Sequence, residues 1–359
     1  MDKQALTKNL LPLLIISIIF ALIAYTFFVS SISYDQAPST AKEGSTITML
    51  VFNVSNTSST GNTLYNVTIT NLGTASAGNL TNITLQASDD NSVYYNDSFS
   101  SFPVIINVSK DITMETNFTL NVTINTSATD NVTIQINITS INAGVNVTTD
   151  MPLNPSGITR IDAASPSINF VSPTPNDYVN SSRNYVEVNI TSYDTVTNIS
   201  ACLLEWNGTS NESMNIINSG NSVICYLNKT TLSDGTYTYR VYSNDSYNHW
   251  GASTTRTIRI DTVAPSVVVN NPQNGTWQNG TIVINITVTD TGSGVNSSQV
   301  AYKIDNGNWL SLGSGGGDYY NATSDTTSWG DGYHTISFMA NDSVNLGQVN
   351  SNSSVSVHS

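Results

Sequence analysis

The chain has 359 residues, a formal net charge of −14 and only 10% charged residues, with 39% apolar residues, 46 asparagines and two cysteines. That balance excludes the basic footprint of a nucleic-acid binder, and at so low a charge density the polarity must come from Asn, Ser and Thr. The length leaves room for two to four domains of ordinary size.

Residues 1–9 carry Lys3 and Lys8, and residues 10–29 form an apolar run. A helix of about twenty residues, rising 1.5 Å per residue, crosses a hydrocarbon core of roughly 30 Å. Asp35, Lys42 and Glu43 follow with no comparable basic excess, so the positive-inside rule leaves 1–9 as a cytoplasmic amino terminus and exports the rest. The expectation is a transmembrane or signal-anchor helix over 10–29, holding a single-pass membrane protein at the cell surface with its carboxyl end outside. Two other readings also export the chain. Cleavage behind Ser31-Ile32-Ser33 would secrete it, and prepilin-type processing near Lys3-Gln4-Ala5 would make it a filament subunit.

Residues 34–157 are rich in Asn and Thr. Over 117–125 and again over 131–139, apolar residues alternate with Asn and Thr, the period of a strand with one buried face, so this region is expected to be a β-sandwich. The chain holds 27 Asn-x-Ser/Thr triplets, 13 of them between Asn53 and Asn146. Composition alone accounts for roughly a dozen, and the surplus points to covalent glycans. An Asn and the Thr two positions later share the outer face of a strand, so such a triplet fits the pattern without touching the core. Candidate acceptors are Asn53, Asn66, Asn82, Asn117, Asn121, Asn131, Asn137, Asn189 and Asn285.

The remainder repeats with a period near 99 residues. Arg160-Ile161-Asp162 with Pro166-Ser167-Ile168 recurs as Arg259-Ile260-Asp261 with Pro265-Ser266-Val267. These are the domain joints, giving one sandwich over 164–261 and another over 262–359. Asn207-Gly208 and Asn306-Gly307 align as expected type I′ hairpin turns. Cys202 and Cys225 are expected to pair outside the cell, with a loop-closure contribution of roughly 3 kcal/mol. The alignment sets Ala301 and Ala322 opposite them. The fold class is therefore all-β: tandem antiparallel β-sandwiches behind one amino-terminal helix.

The last copy reads Asp261-Thr262-Val263-Ala264-Pro265, Pro272-x-Asn274-Gly275, Gly292-Ser293-Gly294-Val295, Tyr302-Lys303-Ile304-Asp305, Asp331-Gly332-x-His334-Thr335-Ile336 and Ala340-Asn341-Asp342. In these residues it resembles the immunoglobulin-like domains of bacterial and archaeal surface proteins. The middle copy follows more loosely, through Leu204-Glu205-Trp206-Asn207-Gly208 and Asp234-Gly235-Thr236-Tyr237. The resemblance implies an Ig-like fold and a surface location; it transfers no catalytic residues.

Candidate chemistry is sparse. His334 shares an alternating face with Ile336 and Phe338 and reads as a core residue, His249 lies in a turn beside Trp250, and no spacing suits zinc. Asp290 beside Gly292-Ser293-Gly294, and Asp342 among its Asn neighbours, have the oxygen donors calcium takes, but turn-forming is the commoner use of such residues, so no cofactor is expected. Trp309 and Trp329 are weak candidates for partner contact. With no Gly-x-Ser-x-Gly, no phosphate loop and five glutamates, no catalytic constellation assembles. The leading expectation is a structural or adhesive cell-surface glycoprotein, membrane-held through its amino-terminal helix and free to self-assemble or meet another surface protein. The alternatives are a pilin-like filament subunit and a carbohydrate- or protein-binding module of a surface assembly.

Overall fold

The computed structural model describes residues 27–29, 34–56, 62–113, 115–143, 147–149, 153, 157–344 and 350–358. Apart from three single-turn 3-10 segments, its regular elements are strands. Most of the expected helix, residues 10–26, lies outside the described residues. Its last three, Phe27–Val29, form a strand paired with Thr46–Asn56 and Val147–Thr149, which corrects the helix at that end. Aromatic and β-branched side chains suit a pleated ladder better than a helix terminus. Among the described residues no helix is long and apolar enough to cross a membrane.

Two compact units divide the chain. One holds Met1–Pro166 with Asp194–Ile199 and Asp245–His249; the other holds Ser167–Tyr193, Ser200–Asn244 and Trp250–Ser359.

In the first unit, strand Glu115–Ile124 shows how alternation builds the core. Phe118, Leu120, Val122 and Ile124 point inward, and the strand pairs with Thr46–Asn56 on one side and Leu80–Ala87 on the other. Phe52 stacks on Phe118 with ring centroids 5.6 Å apart. A three-stranded sheet of Ile136–Asn142, Asn62–Asn71 and Val104–Ile112 supplies the facing layer, and Val104, Ile106, Val108 and Ile112 join the same core. Strand Thr159–Asp162 pairs with Thr40–Lys42 and Thr133–Ile134, so the first sandwich runs to Asp162 rather than stopping at 157.

The second unit contains most of the first repeat, all but Asp194–Ile199 and Asp245–His249, together with the second repeat, and each repeat has a four-stranded sheet and a larger one. In the first repeat the sheets are Ser167–Val171, Val186–Tyr193, Ser222–Lys229, Asn215–Ile217 against Val179–Ser181, Arg256–Ile260, Gly235–Asp245, Ile199–Trp206, Glu212–Ser213, with Trp250–Ala252 alongside Gly235–Asp245. The second repeat has the same order, with Thr276–Trp277, Asn350–His358, Tyr333–Asn341, Ala301–Ile304 and Leu310–Ser311 as its larger sheet. In both, an early strand runs parallel to the last one: Val179–Ser181 with Arg256–Ile260, and Thr276–Trp277 with Asn350–His358.

Strand register corrects two details of the sequence alignment. Asn207 and Gly208 both have positive φ, at 54° and 65°, as a type I′ turn requires. In the next repeat the left-handed residue is Asp305, at φ 49°, and the Gly307 N–H closes the turn onto Ile304 O at 2.9 Å. Asp305 is held there because its carboxylate accepts from Thr335 N and faces His334, just as Asn207 accepts from Thr238 N. The cysteine counterparts shift as well. Met214 N donates to Cys202 O as Leu312 N does to Val300 O, so Val300 stands where Cys202 does. Ile190 pairs with Cys225 as its equivalent Ile286 pairs with Tyr320. The site of the bridge is thus filled in the last sandwich by buried Val300 and Tyr320, not by Ala301 and Ala322.

Candidate functional site

Each repeat places aspartates where strands end, because a carboxylate there can accept from the N–H groups of the following turn. Asp194 Oδ1 accepts from Val196 N and Thr197 N at 2.8 and 2.9 Å, and Asp245 Oδ1 from Tyr247 N and His249 N at 2.8 and 3.0 Å. In the last sandwich Asp290 accepts from Gly294 N at 2.5 Å and Asp342 from Val344 N at 3.1 Å. The two aspartates with calcium-type donors therefore hold their own turns. Buried Asp261 accepts from Ser293 N and, at its other oxygen, from Val263 N. Burial pushes the Asp261 carboxyl up, but the Ser293 and Val263 donors outweigh it and hold the group below the usual carboxylate range.

At the equivalent place in the first unit a different cluster assembles. Asp162, Asp245 and His249 each offer one ligand atom, and these atoms all lie within 4.8 Å of one another. His249 Nδ1 is 2.7 Å from Asp245 Oδ2 and 3.6 Å from Asp162 Oδ1, while Nε2 is 2.9 Å from Glu43 Oε2. Asp162 is fully buried; its Oδ2 accepts from Thr197 Oγ1 at 2.5 Å, and its Oδ1 accepts no hydrogen bond. Burial, reinforced by the Asp194 and Asp245 charges, pushes the Asp162 carboxyl up despite the Thr197 hydroxyl. For His249 burial pulls down, but Asp245, Glu43 and Asp162 together carry its value above that of a free imidazole. Sequence reasoning passed over this group because Glu43 and His249 are 206 positions apart and no local spacing joins them.

Cys202 and Cys225 form a disulfide between strands Ile199–Trp206 and Ser222–Lys229, which belong to the two different sheets of their sandwich. His334 packs edge-on against Trp329, with Nδ1 2.8 Å from Asp305 Oδ2 and Nε2 2.9 Å from Gly330 O. It thus sits in a polar clasp at the strand's beginning, outside the apolar cluster that contains Ile336 and Phe338. Trp329 packs against that cluster, whereas Trp309 is exposed with Lys303 Nζ 5.0 Å above its ring. The most exposed tryptophan is Trp277, at 78%.

Among the candidate glycan acceptors, Asn117 and Asn131 are exposed, and Asn66, Asn82, Asn121, Asn189 and Asn285 are half-buried. Asn53 and Asn137 are 6% exposed, which corrects their place on an outer face. Asn53 Nδ2 donates to Glu115 Oε1 and Asn117 Oδ1, and Asn137 lies between buried Ile136 and Ile138 in a strand that breaks its alternation at a bulge.

Residues 265–337 match the family model described as "Bacterial Ig domain". No curated protein matches. Among solved structures, the chain is similar to the Escherichia coli adhesin FdeC, at 14% identity and TM-score 0.41, covering 94% of this chain and 97% of that one. A three-Ig-domain structure of titin is 12% identical with TM-score 0.36, over 91% of this chain and 98% of that chain. Fibronectin(III)-like modules of Clostridium thermocellum CbhA are 19% identical with TM-score 0.30, covering 54% of this chain and 93% of that one.

Proposed function

We propose that this is a structural or adhesive cell-surface glycoprotein that carries its Ig-like sandwiches outside the cell, anchored through its amino-terminal apolar segment. The observation that carries the reading is the disulfide between Cys202 and Cys225, joining the two sheets of one repeat. Structural disulfides belong to oxidising compartments, and repeated sandwiches with loops closed on their own turns make a spacer rather than a reaction centre. Protease added to intact cells should release fragments of the repeats; full protection of residues 164–359 would rule the surface reading out.

A second reading, recognition of a sugar or protein surface, draws on Trp277 and Tyr333. Each is 78% exposed, and the two flank His358 in register on neighbouring strands of one sheet. Aromatic rings so placed offer contact area at low entropic cost. Binding to a glycan array that persists in Trp277→Ala/Tyr333→Ala would remove this version.

A further inference from the structure

We propose that Asp162, Asp245 and His249 bind a divalent first-row transition cation of the zinc type, with Glu43 orienting the imidazole. All four belong to the first compact unit.

The geometry suits such an ion. One ligand atom from each of Asp162, Asp245 and His249 lies within 4.8 Å of the other two, and His249 Nδ1 is 3.6 Å from Asp162 Oδ1 and 2.7 Å from Asp245 Oδ2. A metal with bonds of about 2.0–2.2 Å holds its ligand atoms roughly 3–4.2 Å apart. The separation of His249 Nδ1 from Asp162 Oδ1 already suits it, and the hydrogen-bonded pair of His249 Nδ1 and Asp245 Oδ2 opens slightly to admit the ion in place of their shared proton. Each carboxylate has its other oxygen pinned by the protein, Asp162 Oδ2 by the Thr197 hydroxyl and Asp245 Oδ1 by two backbone N–H groups. The inward oxygens are therefore aimed rather than free to rotate.

An independent observation points to a ligand. Asp162 has no exposed surface, and its Oδ1 accepts no hydrogen bond; the nearest cationic atom, His249 Nδ1, is 3.6 Å away and already sits 2.7 Å from Asp245. A buried carboxylate oxygen without a donor is costly, and a cation removes that cost. The surrounding charge has the same sign: Asp162, Asp194, Asp245 and Glu43 outnumber the single imidazole, and the Lys42 ammonium is committed to Tyr247 O at 2.9 Å.

Glu43 supplies the outer support. With its Oε2 2.9 Å from Nε2, it accepts the hydrogen bond of the Nε2 proton and holds that proton on the outer nitrogen. The ring then ligates through the Nδ1 lone pair once the metal displaces the Nδ1 proton to solvent, the carboxylate–histidine–metal arrangement seen around bound metals. The His249 and Glu43 side chains retain 12% and 22% exposure, which gives an ion its way in. The imidazole also selects the metal: a nitrogen donor favours zinc and its neighbours, whereas calcium takes six to eight oxygens. The second joint supplies an internal contrast. Asp261 and Asp342 recur there, but the sequence places Leu346 at the position of His249, and both Asp261 oxygens accept backbone N–H groups.

Zinc, manganese and calcium chlorides titrated calorimetrically into the full chain, stripped with chelator and free of any histidine tag, test the site. One zinc per chain is expected, bound more tightly than calcium. His249→Gln and Glu43→Gln should each weaken zinc at least tenfold, with His334→Gln and His358→Gln within twofold of wild type. Zinc-dependent shifts of the His249 ring resonances in the unmodified chain give a readout that does not depend on any variant folding. No saturable zinc binding up to about 1 mM, unchanged affinity in His249→Gln, unmoved His249 resonances, or calcium binding tighter than zinc would each overturn the proposal.

Discussion

At Gly292 there is no room for a methyl group. A Cβ built there would lie 2.2 Å from Asp261 Cγ, and Asp261 is itself buried and tied to Ser293 N. Gly292→Ala must therefore displace a satisfied buried carboxylate, and urea unfolding should show a loss of about 1–3 kcal/mol. His334 makes a pH-dependent contribution. The Asp305 carboxylate, helped by Gly330 O, raises its pKa above 6.5. A group whose folded value is raised adds stability that is complete below the unfolded value and lost as pH climbs through the folded one. The denaturation midpoint of the last sandwich should thus fall as pH climbs from the ordinary imidazole value through the raised one, and His334→Gln should flatten that slope. Lys110 works at the acid end. Its side chain, 7% exposed between Val108 and Ile112 in an inward-facing row, places its ammonium 3.0 and 2.6 Å from the Asp89 and Asp90 carboxylates, and its hydrogen bond holds Asp90 far below the usual range. A depressed carboxyl contributes above its unfolded value, so this part of the stability disappears as strong acid protonates Asp90, and Lys110→Met should make the acid-side loss of stability in the first sandwich shallower by that share.

Between elements, the disulfide is the one covalent tie across two sheets. Closing a 23-residue separation contributes roughly 3 kcal/mol in the chain-entropy picture. Reductant should lower the melting transition of the middle sandwich while leaving the last one in place, since Val300 and Tyr320 fill the equivalent position there without sulfur. The strands themselves were legible wherever apolar residues alternate with Asn and Thr, as in Glu115–Ile124 and Val186–Tyr193, because a period of two leaves a single choice of buried face. Alternation says nothing about what lies across a sheet. The bulge between Ile138 and Ser140 resets parity only beyond Asn137; Asn137 keeps the face opposite Ile136 and Ile138, and it is buried because that face is covered too, which alternation cannot show. The turn at Asp305 was misread for a related reason: Asn-Gly is a strong local signal, but the contacts with Thr335 and His334 move the left-handed residue back two places from Gly307. The Asp162 cluster was invisible because its members come from segments far apart in the chain.

For the molecule as a whole, sugar occupancy should follow burial rather than motif. Glycopeptide mass spectrometry of exported chain should find Asn117 and Asn131 modified and Asn53 and Asn137 bare, because the acceptor nitrogen of Asn53 is already bonded to Glu115 and Asn117 and Asn137 is enclosed. Full occupancy at Asn53 would contradict the packing of that strand. The parallel pairing of early and last strands in both repeats bears on what such a chain does under tension. Traction on the two ends of a sandwich slides these neighbours lengthwise past each other, so their hydrogen bonds are strained together and must rupture as a group. Endurance under a pull is then a matter of the barrier to rupture rather than of equilibrium stability.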